Sequence, residues 1–111
     1  MLKDEIQSGD WKGEKHVPVI EILEKKDGMV KAEVSVGKEI KHPNTMEHHI
    51  AWIELYFKPD GEKFPKMIGR VAFTGHDDPL TEPVATFTFS TNKKGVLQAL
   101  SFCNIHGLWE G

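Results

Sequence analysis

From Met29 to Val36 the chain alternates: Val30, Ala32, Val34 and Val36 fall on one face of an extended segment, and Lys31, Glu33 and Ser35 on the other. A period of two is the mark of a half-buried strand. Further runs read as strands. Val17 to Leu23 is β-branched and apolar and is opened by Pro18; Ile50 to Phe57 is apolar on both faces; Met67 to Thr74, Val84 to Thr91 and Val96 to Cys103 complete the set. The separators are turn-forming: Lys25-Lys26-Asp27-Gly28, Pro59-Asp60-Gly61, Asp77-Asp78-Pro79 and Asn92 to Gly95, residues that supply the backbone conformations tight reversals need. Only residues 2–8 leave room for a short helical turn. Six or seven short strands with almost no helix predict an all-β chain, an Ig-like antiparallel β-sandwich of about seven strands. Periodicity alone does not separate that Greek key from a small jelly roll or barrel.

At 111 residues, with no linker, repeat or low-complexity stretch, residues 1–111 are expected to form a single domain. The net charge of -3 gives no basic excess, so neither nucleic acid nor a membrane surface is an expected partner. No apolar run approaches the ~20 residues that span a bilayer. The start MLKDEIQSGDW has no basic segment followed by an apolar one, so no signal peptide is read and a cytoplasmic location is expected. A lone cysteine, Cys103, excludes an internal disulfide and a four-cysteine metal site.

The chemistry gathers in three places, each in a predicted loop or at a strand end: Glu14-Lys15-His16, the run HPNTMEHH from His42 to His49, and Cys103-Asn104-Ile105-His106-Gly107. A cysteine and a histidine three apart, followed by glycine, let one turn aim a thiolate and an imidazole at a common point. Structural zinc and copper sites use similar pairs. Pro43 stiffens the chain after His42, and His48 follows six residues later, a loop length that can turn both rings onto one ion. In an extended segment His48 and His49 project to opposite faces, so at most one is a ligand. His76, in the turn GHDDP, is read as a turn residue, and Trp11, Trp52 and Trp109 as packing walls.

His16 brings the set to four imidazoles and one thiolate, more strong ligands than tetrahedral zinc takes. Blue-copper sites add a weak axial methionine, usually soon after the last histidine. No methionine follows Met67 here. Iron with five protein ligands and an open sixth position fits the set best. A cupredoxin-like electron carrier stays open at this point, as does a structural zinc module built on His42, His48, Cys103 and His106.

The segments EKHVP (14–18), HPNTMEHHI (42–50) and CNIHGLWE (103–110) closely resemble the motifs of the superoxide reductases, the neelaredoxin and desulfoferrodoxin family. The similarity runs through essentially the whole chain. The four cysteines that build a second, rubredoxin-like iron site in two-domain members are absent from it, so the resemblance is to the one-iron neelaredoxin type. It implies a seven-stranded Ig-like sandwich. It also implies a mononuclear iron with His16, His42, His48 and His106 as equatorial ligands and Cys103 as the axial thiolate. Glu14 would be a displaceable sixth ligand and Lys15 the cation nearby. The implied activity is one-electron reduction of superoxide to hydrogen peroxide with an external donor, usually rubredoxin, in a homo-oligomer, generally a tetramer. Dismutation shares the metal and the substrate but needs no donor. Because superoxide is an anion and the chain is acidic, attraction has to be local; Lys15 is the candidate, with Lys12 and Lys41 as possible helpers.

Overall fold

The computed structural model describes residues 1–9, 16–38 and 41–111. A one-turn helix, α1 (Leu2–Glu5), precedes seven strands: β1 (Val19–Lys26), β2 (Met29–Ser35), β3 (Ile50–Pro59), β4 (Lys66–Ala72), β5 (Val84–Ser90), β6 (Gly95–Cys103) and β7 (Gly107–Glu110). They form a three-stranded sheet in the order β1-β2-β5 and a four-stranded sheet in the order β4-β3-β6-β7. Every strand pair is antiparallel. Strands 1, 2 and 5 opposite 3, 6 and 7, with β4 beside β3, are the Ig-like arrangement expected. Among the described residues no helix is long and apolar enough to cross a membrane.

The alternation in β2 does what a period of two requires. Ala32 and Val34 are fully buried, while Lys31 and Glu33 on the other face are only half-buried. They meet Ala85 and Phe87 from β5, and across the sandwich Ile53 and Leu55 from β3 and Ala99 from β6. Burying a side chain the size of Ile53 or Leu55 contributes roughly 1.5–3 kcal/mol. β3, apolar on both faces in sequence, spends its outward face differently. Trp52 stacks on Phe102 with centroids 5.7 Å apart, and the Arg70 guanidinium lies 4.7 Å above its ring. Trp52 is thus a packing wall shared with Phe102 and Arg70.

Most strand ends differ from expectation by one or two residues, and β1 and β7 differ most. β1 starts at Val19 and runs on to Lys26, because Asp27 and Gly28, with φ of 52° and 82°, close a two-residue hairpin that pairs Lys26 with Met29. β1 is also an exposed edge, with Ile22 and Leu23 about half in solvent and a register shift between Ile22 and Glu24; bulged edges resist unwanted pairing. β7, four residues long, falls below the length at which periodicity can be seen. It pairs with the end of β6, setting Cys103 opposite Gly107 and Ser101 opposite Trp109.

Register delivers the loops to one end. Ile50 at the start of β3 pairs with Cys103 at the end of β6, so the histidine loop that precedes β3 arrives beside the cysteine. His16, just before β1, is tied to the same place by Ser101, whose hydroxyl donates to the His16 carbonyl at 3.0 Å.

Candidate metal centre

Four imidazoles stand in a ring at this end. Going round it, centroids are 4.6 Å apart for His16–His42, 4.7 Å for His42–His48, 5.0 Å for His48–His106 and 4.9 Å for His106–His16. Neighbouring rings meet edge to face, at 73° to 89°. The His16–His48 distance across the ring is 6.4 Å, longer than any edge, as in a near-square. The Cys103 sulfur lies against this square, 3.8 Å from His42 Nε2 and 3.9 Å from His106 Nδ1.

Which nitrogen faces inward is fixed by what lies outside. His42 Nδ1 sits 2.6 Å from the Pro43 carbonyl. A carbonyl only accepts, so Nδ1 carries the proton and Nε2 offers its lone pair to the centre. At the next edge, His16 Nε2 and His106 Nδ1 are 3.0 Å apart. Two nitrogens about 2.1 Å from a shared ion, at right angles, stand about 3 Å apart, so the spacing suits adjacent ligands. Ligand atoms of His16, His48, Cys103 and His106 all lie within 4.8 Å of one another, and His42 closes the ring. A transition ion fits this set. Five donors exceed tetrahedral zinc, and a thiolate among imidazoles favours a redox-active metal.

The surroundings hold the donors in place. Cys103 is fully buried, and the His106 backbone N–H donates to its sulfur at 3.4 Å, as the turn after Cys103 allows. His16 is fully buried and His42 is 2% exposed; buried polar rings of this kind need partners. The His42–His49 loop is pinned by two asparagines. Asn44 Oδ1 accepts the Ile50 N–H at 2.8 Å. Asn104 Oδ1 accepts the His49 N–H at 2.8 Å, and its Nδ2 donates to the Glu47 carbonyl at 2.9 Å. Within the loop, the Thr45 N–H donates to the His48 carbonyl at 2.9 Å.

Of the seven residues singled out from sequence, the structure therefore brings five together: His16, His42, His48, Cys103 and His106. Glu14 and Lys15 lie outside the described residues, as do Trp11 and Lys12. His48 and His49 do part to opposite sides. His49 turns away to place Nδ1 3.0 Å from the Thr45 carbonyl, against Gly75, where a Cβ would come within 2.5 Å of that ring. His76 takes no part in the ring of four and stays half-buried in the loop before β5. Lys41 is ion-paired with Glu82 at 3.1 Å. Asn44, Asn104 and Ser101 were missed by sequence reasoning. The partners of Ser101 and Asn104 are remote in the chain, and Asn44 acts within its own loop on the Ile50 N–H.

A seven-stranded sandwich that gathers four imidazoles and one thiol at one end defines a class: an all-β protein with a His/Cys metal site. The desulfoferrodoxin family model matches residues 8–111. The chain belongs to the desulfoferrodoxin family and, within it, to the neelaredoxin type. It is 74% identical over 110 residues to a superoxide reductase of Pyrococcus abyssi, covering 99% of this chain and 95% of that one. A crystal structure of a superoxide reductase in the oxidised state superposes with a TM-score of 0.94 at 58% identity, over 100% of this chain and 96% of the other. The reduced superoxide reductase (neelaredoxin) of Archaeoglobus fulgidus gives 0.88 at 56% identity, over 96% and 94%.

Proposed function

We propose that this chain is a superoxide reductase, passing one electron and two protons' worth of chemistry to superoxide so that hydrogen peroxide leaves. The observation that carries the reading is the near-square of His16, His42, His48 and His106 with the Cys103 sulfur against it. The square speaks against the zinc module, which leaves His16 without a purpose. It speaks equally against a cupredoxin-like centre, which needs only two histidines. Those five residues would hold one iron, which supplies the electron when reduced and recovers it from the donor.

The protein's own groups do the rest. The His42 tautomer is set by the Pro43 carbonyl, so one ligand needs no rearrangement. The His106 N–H on the sulfur spreads thiolate charge and tunes how strongly it donates. Cys103 is fully buried while His48 and His106 are half-buried, so substrate would approach from the side of those two rings. There Glu14 would serve as a displaceable ligand and Lys15 as the cation that draws the anion in, a reading that rests on the family resemblance; Lys41 is already paired with Glu82. The same resemblance supports a rubredoxin-type donor, a tetrameric assembly and a single domain over the whole chain.

The test combines metal analysis, a visible spectrum and superoxide consumption. Expected are roughly one iron per chain, a thiolate-to-ferric band that disappears in Cys103→Ser, and superoxide consumption that stops when donor is withheld. Oxygen evolution without consumption of donor would make the protein a dismutase instead, and a colourless zinc protein would end the reading.

A further inference from the structure

We infer that Ser101 and Trp109, a cross-strand pair of β6 and β7, are positioning residues that hold the His16–His106 edge of the ring in its metal-ready geometry; this rests on the iron-site reading above. The two residues face each other in the sheet register and are 0% and 2% exposed. Between them they grip His16 at both ends. Ser101 Oγ donates to its carbonyl at 3.0 Å, and the Trp109 indole stacks on its imidazole, centroids 4.6 Å apart and planes 15° apart. The same indole reaches the second histidine, since Trp109 Nε1 donates to the His106 carbonyl at 3.1 Å. One side chain therefore fixes the ring of one ligand and the backbone of the next, across the edge where the two inward nitrogens stand 3.0 Å apart.

The opposite edge is secured without them. His42 is held by its neighbour Pro43, and His48 by Thr45 three residues before it, so that half of the ring is braced within its own loop. His16 and His106 are 90 positions apart in sequence and share no loop that could do the same. A filler at position 109 would need only apolar volume. The indole N–H is instead spent on the carbonyl of a ligand, and the fully buried Ser101 hydroxyl on the carbonyl of another. Buried hydroxyls are tolerated only when so paired. On its outer edge β7 is paired in turn with Gln7, whose N–H donates to the Leu108 carbonyl at 3.1 Å and whose carbonyl accepts from the Glu110 N–H at 2.8 Å, so the strand carrying Trp109 is braced on both sides.

The test compares W109L, W109F and S101A with F87L, a core substitution on the other sheet, in the intact chain. Ferrous iron affinity is read by competition with a chelator, and the position and width of the thiolate-to-ferric band are recorded beside the melting temperature. We expect W109L and S101A to weaken iron binding about 10–100-fold, the range lost with the outer partners of metal ligands, and to shift or broaden the band. W109F keeps the ring face and gives up only the N–H, so it restores part of the affinity. F87L lowers the melting temperature and leaves both metal readouts at wild-type values. Should W109L fail to fold, W109F and S101A carry the same comparison. Iron held by W109L, W109F and S101A as tightly as by F87L, with the wild-type band, would reduce the pair to packing and overturn the inference. A wild type that binds no iron would instead overturn the iron-site reading on which the pair depends.

Discussion

The two ends of this sandwich are closed in opposite ways. At one end the space between the sheets is filled by buried polar groups delivered on loops: His16, His42, Asn44 and Ser101, with Cys103 beneath them. At the other, Val30, Phe57, Phe89 and Leu97 line an opening of about 390 Å³ that Lys25, Asp60, Thr91, Lys93 and Lys94 also border. The first arrangement is demanding, because each buried donor or acceptor must meet a partner at the right angle or cost about 1–3 kcal/mol. The second is forgiving: apolar contact has no direction, and lysines on the rim are content in water. Function has settled at the demanding end. There a substitution is expected to change what the protein can bind, and at the far end to change how stably the protein folds.

That contrast can be broken most sharply at His16. H16A removes one corner of the square, and we expect iron to be lost altogether, as metal analysis of the purified variant will show; iron retained at the wild-type level would mean that the square is not the site. At the far end, Phe89 packs on Phe57 with centroids 5.7 Å apart and is only half-buried. F89A is expected to cost about 2–3 kcal/mol in denaturant unfolding, below the range for a fully buried phenylalanine, with no change in iron content. Asn44 tests whether the demanding end suffers from so small a change. N44A strands the Ile50 N–H, which costs about 1–2 kcal/mol, and the loosened His42–His49 loop releases iron to a chelator faster than F89A does. Smallest of all is K93A, which breaks an exposed pair with Glu62. About 0.5 kcal/mol or less is expected in unfolding, fading as salt is raised.

Much of this was legible in the residues themselves. Alternation in Met29 to Val36 named both the strand and its buried face, and the turn residues separated the other strands. His48 and His49 could be assigned to opposite sides because a strand-like segment allows nothing else. The five donors now found together were also readable, partly from chemistry and partly from their likeness to a known set of motifs. β7 was not, since four residues show no period. Nor was the exposed edge of β1, which looks as apolar as a buried strand until its place in the sheet is known. Ser101 and Asn104 were invisible for a different reason. A hydrogen bond between positions 101 and 16 leaves no mark on the residues beside either of them.

The sequence by itself determined the class of fold, the kind of ligand and the number of donors on offer, because those follow from local period and from side-chain chemistry. Only the tertiary structure decided that the donors form a square, which nitrogen of His42 faces inward, and which of two adjacent histidines takes part. Those outcomes depend on strand register and on where the Pro43 and Thr45 carbonyls stand once the loop has folded. Chemistry is carried by each residue wherever it goes, whereas direction exists only once the two sheets have closed on each other.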